Sequence, residues 1–178
     1  MIVFIDEVEE IAAQRGGEPP SAMQGVTNEL LKIIPAFRDA PGRLLICATN
    51  FIRALDDAFL RHGRFDYVIP IGLPDAPARA AIWSRHIPDA VEGEVDLTRL
   101  VTASDGYSPA DIEFAARSAS QAALEQSVFG SGADGGAGAG VRGPSTDDYL
   151  AAIARTRATV SPEVAGEFRE DIAALARA

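Results

Sequence analysis

Ile2-Val3-Phe4-Ile5-Asp6-Glu7 reads as a short apolar strand that ends on two adjacent carboxylates. Ile2, Val3, Phe4 and Ile5 are all β-branched or aromatic, the pattern of a strand buried on both faces. Such a strand delivers its terminal side chains to one point at its carboxyl end. There, one carboxylate can support Mg2+ while its neighbour activates a water, the division of labour that phosphoryl transfer to water requires. The pair fits equally a strand that stops in a solvated turn, because motifs this short also match by chance.

Outward from this stretch, Gly16 to Ser21 has the composition of a turn or mobile loop. From about Ala22 to Phe37, the residues Val26, Leu30, Ile33, Ile34 and Phe37 recur at helical spacing and predict an amphipathic helix. After Pro41-Gly42, Leu44 to Ala48 reads as a second buried strand, and Asp66 to Ile71 as a third, closed by Pro70 and Pro74. Beyond Pro77 the patterns are helical only: about Ala78 to Ile87, Leu97 to Thr102, a helix opening at Ser108, one capped by Thr146 and running to about Arg155, and one starting at Ser161-Pro162. Ser108, Pro109 and Asp111 fit a reciprocal cap, with Ile112, Ala115, Ala116, Ala119 and Ala123 on close-packing faces. Residues 130–143 are mostly Gly and Ala and predict a disordered linker. They lack the lysine, the Ser/Thr and the preceding strand of a phosphate loop.

Alternating strands and helices followed by helices alone predict an α/β segment and then an all-α subdomain. The boundaries read as 1–77 for the α/β part, 78–160 for the helical part and 161–178 for a C-terminal helix. At 178 residues and 47% hydrophobic content the chain has the composition of an ordinary globular protein. No run approaches the ~18 apolar residues of a membrane span. Met1 leads straight into a strand without a basic leader, and the single Cys47 allows no internal disulfide, so a cytoplasmic location is expected. A net charge of −10 argues against a phosphate-tracking nucleic-acid surface, and Lys32 is the only lysine.

Further polar residues follow in order. Asn50 stands at the tip of the second strand, where its amide can hold a water and a phosphate oxygen, or can cap a turn. Arg61 and Arg64 flank Gly63, an arrangement that suits an anion clamp or, alternatively, surface ion pairing such as Arg64 with Asp66.

Taken together, Val-Phe-Ile-Asp-Glu at 3–7, Ala-Thr-Asn at 48–50, Leu-Asp-x-Ala-Phe-Leu-Arg-His-Gly-Arg-Phe-Asp at 55–66 and Gly-Leu-Pro-Asp at 72–75 resemble the second half of an AAA-family ATPase module. The likeness is to the group that includes FtsH-type proteases, proteasomal ATPases and Cdc48-type unfoldases. It covers residues 2 to about 128 and, more weakly, 144–165. The resemblance implies strands 3, 4 and 5 of an incomplete P-loop sheet, followed by a helical lid. It implies Asp6 and Glu7 as the Walker B pair, Asp6 supporting Mg2+ and Glu7 polarising water, with Asn50 as sensor 1. Arg61 and Arg64 match arginine fingers that reach the nucleotide of the neighbouring subunit in a hexameric ring. Gly106 and Ala110 match lid residues that pack against the nucleotide, and Ile82 and His86 match positions lining adenine and ribose. A lone helical His such as His86 otherwise serves packing or the surface.

The sequence departs from the family pattern in three places. Pro109 replaces the usual Gly, which helix position N1 accommodates. Pro35-Ala36-Phe37 stands where many relatives have Asp-Gly-Phe, and this alters the segment that relays nucleotide state between neighbours. The Gly/Ala stretch looks like an insertion in the lid.

The glycine-rich loop ending in Gly-Lys-Ser/Thr occurs nowhere in these 178 residues. Without its N–H groups and lysine little would hold ATP, so the chain by itself is expected to be inactive. The family's sheet order, 5-1-4-3-2, places the missing first strand between 44–48 and 66–71, which leaves edges unpaired. Three readings are open: a partial sequence or gene product of an AAA remodelling ATPase that acts on a protein substrate; a lid-and-finger module that docks on an ATPase partner; and a structural remnant.

Overall fold

The computed structural model describes residues 1–12, 22–61, 63–89, 94–129 and 142–176. The predicted loop at 16–21 and the Gly/Ala segment at 130–141 lie outside the described residues. Strand β1 (Ile2–Ile5) pairs in parallel with β2 (Leu44–Cys47), in register from Ile2 opposite Leu44 to Ile5 opposite Cys47. Parallel strands need a crossover, and this one contains α1 (Glu9–Ala12) and α2 (Ala22–Arg38). Then come α3 (Ala76–His86), α4 (Leu97–Ala103), α5 (Pro109–Phe129), α6 (Thr146–Arg155) and α7 (Pro162–Leu175). The chain groups into two compact units, Met1–Pro70 with Arg169–Ala178, and Ile71–Phe168, so residues of α7 count in both.

The first unit is built on Val8, Ala12, Leu31, Ile34, Leu55 and Phe59, with Ile5, Leu45 and Cys47 packed against them. Both strands were expected to be buried on two faces; only one face is covered. Side chains alternate across a strand, and Ile2 and Phe4 remain 71% and 59% exposed, with Leu44 and Ile46 on the same bare side. The expected third strand at 66–71 also differs. Val68 makes a lone bridge there, and the sheet among the described residues has two strands. A strand needs a neighbour's ladder, Pro70 has no N–H to donate, and Ile69 and Ile71 are largely exposed. In α2 the buried stripe is Thr27, Leu31 and Ile34 rather than one containing Val26 and Ile33, both of which face solvent.

In the second unit, Asp75 caps α3, its carboxylate accepting from Ala78 N–H at 2.9 Å, so the helix begins before the expected Ala78. A Cβ on Gly72 would meet the Phe168 ring at 2.7 Å, which accounts for a glycine there. The predicted cap of α5 is present in both directions: Ser108 N–H donates to Asp111 at 2.9 Å, and Asp111 N–H donates to Ser108 Oγ at 3.2 Å. Its expected packing residues Ile112, Ala115, Ala116, Ala119 and Ala123 are all buried. Ser145, not Thr146, caps α6, in a reciprocal box with Asp148. Thr146 is the first helical residue, and its hydroxyl accepts from Asp96 N–H at 2.9 Å.

The core of this unit centres on Trp83, which is fully buried, donates its indole N–H to Ser104 Oγ at 3.0 Å and meets the Tyr149 ring edge-on at 5.7 Å. Trp83→Ala empties the largest buried volume in the unit and is expected to cost about 3–5 kcal/mol. In a unit of this size that lowers the thermal midpoint by more than about 10 °C. Calorimetry checks it, and a shift of only a degree or two would show that the indole is not the keystone of this core.

Candidate active site

The parallel register sets the tips of β1 and β2 side by side. Past the last strand pair, Ala48 N–H donates to Ile5 O at 2.9 Å and Val8 N–H donates to Ala48 O at 3.0 Å. Asp6-Glu7 and Thr49-Asn50 thus emerge from adjacent strand ends. Asp6 and Glu7 are both exposed, and one Asp6 oxygen accepts Glu7 N–H at 3.0 Å. Glu7 has φ +48°, and no other non-glycine residue described has a positive φ. An L-residue in that left-handed region carries strain on the order of 1 kcal/mol. The carboxylate expected to activate water is therefore the one set on an unfavourable backbone, turned out of the line of the strand.

Asn50 is exposed, and its backbone N–H donates to Glu9 Oε1 at 3.1 Å, so its side-chain amide is not consumed in holding the turn. Glu9, at the start of α1, was not anticipated as part of the site. The carboxylate of Glu9 is pulled two ways: burial raises its pKa, and hydrogen bonds from the Thr49 hydroxyl, its own N–H and Asn50 N–H lower it below the ordinary value. Cys47, one position from the turn, has its thiol pushed up to about 11 by burial, which keeps it protonated and unreactive.

Arg61 and Arg64 lie elsewhere in the first unit. They line an open hollow of about 810 Å³ with Asn28, Leu31, Lys32, Asp56, Asp57 and Ala58, to which Asp6, Glu7 and Asn50 do not contribute. Arg61 is exposed. Arg64 donates to Ala58 O, so the alternative pairing with Asp66 is not the one formed, and Asp66 pairs with Arg38 at 3.2 Å. Asp56 is nearly buried and holds this turn, accepting Ala58 N–H at 2.8 Å. Lys32, whose ammonium pairs with Glu29 at 3.1 Å, adds a cation to the hollow that its place in mid-helix did not announce.

The second unit holds the four remaining residues. Ile82 is half-buried against the Trp83 core, and His86 is half-buried in the last turn of α3. Gly106 has φ +77° with open space where a Cβ would stand, so backbone conformation rather than crowding demands glycine. Ala110 is exposed in the first turn of α5. Below it, burial pushes Asp111 up, but hydrogen bonds from Ser108 and Thr159 outweigh this and hold it below the usual carboxylate value.

Residues 1–73 match the family described as "ATPase family associated with various cellular activities (AAA)". This part of the chain belongs to the AAA family. An ATP-dependent zinc metalloprotease FtsH of Lactococcus lactis is 32% identical over 173 residues, 93% of this chain and 25% of that protein. The mitochondrial inner membrane i-AAA protease supercomplex subunit YME1 of Saccharomyces cerevisiae is 36% identical over 112 residues, 62% of this chain and 15% of that protein. The chain thus spans a quarter or less of the length of these curated relatives. The crystal structure of the FIGL-1 AAA domain superposes with a TM-score of 0.76 at 22% identity, covering 99% of this chain and 57% of that one. The fold is that of an AAA domain with an incomplete α/β sheet and a helical lid.

No group of three or more His, Cys, Asp or Glu among the described residues forms a protein-only metal cage. AAA chemistry does not call for one, because Mg2+ is commonly held by one or two carboxylates together with substrate phosphates. The exposed Asp6 carboxylate fits that partial role. Among the described residues, no helix is long and apolar enough to cross a membrane.

Proposed function

We propose that this chain carries the hydrolytic half of an AAA ATPase site, in a protein that couples ATP hydrolysis to remodelling of protein substrates in a ring. The single observation behind this reading is the β1–β2 register, which places Asp6-Glu7 and Thr49-Asn50 on neighbouring strand ends. ATP with Mg2+ supplies the scissile phosphate and the metal charge. Asp6 holds the metal side of that pair, Glu7 takes the proton of the attacking water, and Asn50 orients the water and a phosphate oxygen. On the second unit, Gly106 and Ala110 offer a small-residue surface to the nucleotide, and Ile82 and His86 serve its base and ribose. Arg61 and Arg64 act on the nucleotide of a neighbouring subunit in a hexamer. Their grouping in a hollow without the carboxylates favours this division, because a finger that served its own site would share that site's lining.

The same grouping supports a second reading, in which the chain lends its lid and arginines to an ATPase partner. The metalloprotease activity named for the FtsH relatives is not proposed for these residues, whose two histidines, His62 and His86, make no His-Glu-x-x-His zinc motif. The half-buried free thiol of Cys47 is in keeping with a cytoplasmic setting.

The decisive test is turnover. A polypeptide of these 178 residues is expected to show no saturable binding of ATP·Mg2+ and no hydrolysis above background, since the phosphate-cradling loop is not among them. The same polypeptide joined behind the phosphate-loop half of an FtsH relative is expected to hydrolyse ATP.

A further inference from the structure

We infer that Glu9 is a positioning residue that holds Asn50 against the Asp6-Glu7 strand tip; the inference rests on the nucleotide-site reading above. The two strands stop pairing at Ile5 and Cys47, and the next two rungs are backbone bonds between Ile5, Ala48 and Val8. Beyond them no further main-chain bond ties the 49–50 turn to the 6–9 turn among the described residues. Glu9 continues the ladder with a side chain. Its Oε1 accepts Asn50 N–H at 3.1 Å. The Thr49 hydroxyl accepts Phe51 N–H at 3.1 Å, so two neighbouring backbone N–H groups after β2 are held by side chains, Asn50 by Glu9 and Phe51 by Thr49. Glu9 Oε2 is buried with no partner in hydrogen-bonding geometry. A carboxylate carries about four acceptor positions, and burying one oxygen unmatched is a cost that the remaining bonds must outweigh.

The chemical consequence lies in what Glu9 leaves alone. It binds the backbone of Asn50 and not its side-chain amide, so the main chain is held while the amide is left to a water or a phosphate oxygen. Glu7 is two residues before Glu9, on the strained φ of +48°. One short turn therefore fixes both the water-activating carboxylate and the partner that orients the same water. Misplacing such a group by about an ångström can cost up to about a hundredfold in rate.

The experiment has two readouts on the same variants, Glu9→Ala and Glu9→Gln. In the 178-residue chain, NMR follows the Asn50 amide. Glu9→Ala is expected to move its proton upfield and to speed its exchange several-fold, while Leu45 and Ile46 within β2 keep theirs. Glu9→Gln keeps an acceptor oxygen and restores most of the shift. In the chain joined to a phosphate-loop half, Glu9→Ala is expected to lower kcat about ten- to a hundredfold with KM for ATP nearly unchanged, and Glu9→Gln to recover most of it. An Asn50 amide indifferent to Glu9→Ala overturns the inference, and so does a Glu9→Ala module with normal kcat when Asn50→Ala is impaired. If Glu9→Ala frees the amide yet Asn50→Ala itself hydrolyses ATP normally, the hold on Asn50 stands, and it is the nucleotide-site reading that fails.

Discussion

Glu7→Gln, introduced into the chain joined to a phosphate-loop half, is expected to abolish hydrolysis while ATP·Mg2+ still binds. The substitution preserves size and the ability to accept a hydrogen bond but removes the basic oxygen that takes the water's proton. A positioned general base contributes about 10²–10⁴-fold, and the loss in kcat should fall in that range. Gln is the right probe because it leaves the backbone constraint as it is: Glu7 sits at φ +48°, and a change to glycine would relax the turn as well as delete the base. Asp6 keeps its own contact, the bond from the residue 7 N–H at 3.0 Å, because that donor is main chain. Nucleotide retained without turnover is the signature. A Glu7→Gln module that turns over normally would remove Glu7 from the chemistry.

The second large effect is expected at Arg61. Arginine fingers contribute about 10³–10⁵-fold when supplied to a neighbouring nucleotide, and Arg61→Ala should lower turnover of the assembled ring at the lower end of that range. ATP binding by separated subunits should not change. Arg61 is the better target of the two arginines, because its guanidinium is exposed whereas Arg64 also braces the turn through Ala58 O. Arg64→Ala therefore mixes lost charge with a loosened turn. Mixed rings make the direction of action visible: an Arg61→Ala subunit should silence its neighbour's site and not its own. Normal turnover in a uniform Arg61→Ala ring would return the arginines to surface ion pairing.

The parts of the structure legible from the sequence are those governed by local rules. β1 announces itself by consecutive β-branched and aromatic residues, β2 by a short continuous apolar run, and the cap at Ser108 and Asp111 by its spacing. Ala115, Ala116, Ala119 and Ala123 were readable because small residues on one helical face allow close packing. What escaped depended on partners distant in sequence. The period of apolar residues cannot say that Ile2 and Phe4 go uncovered, or that 66–71 lacks a neighbour to complete a ladder. Thr146 and Ser145 are both good caps, and the choice fell to the contact of Thr146 with Asp96, fifty positions away.

The site divides in the same way. Asp6, Glu7 and Asn50 are legible because strand ends deliver residues predictably, and the register brings them together. Glu9 was missed although it stands two residues after Glu7, because an acid at the start of a short helix looks like a solvated one until its bond to Asn50 is seen. Lys32 and Asn28 were missed as companions of Arg61 and Arg64 because only the packing of α2 puts them around one hollow.

Steady-state ATP turnover of the 178-residue chain, alone and joined behind a phosphate-loop half, tests the central proposal most directly. Background rates from the chain alone, with turnover in the joined protein that Glu7→Gln removes, are the predicted result. Hydrolysis by the chain alone that Glu7→Gln abolishes, or a folded, nucleotide-binding joined protein that never turns over, would contradict it.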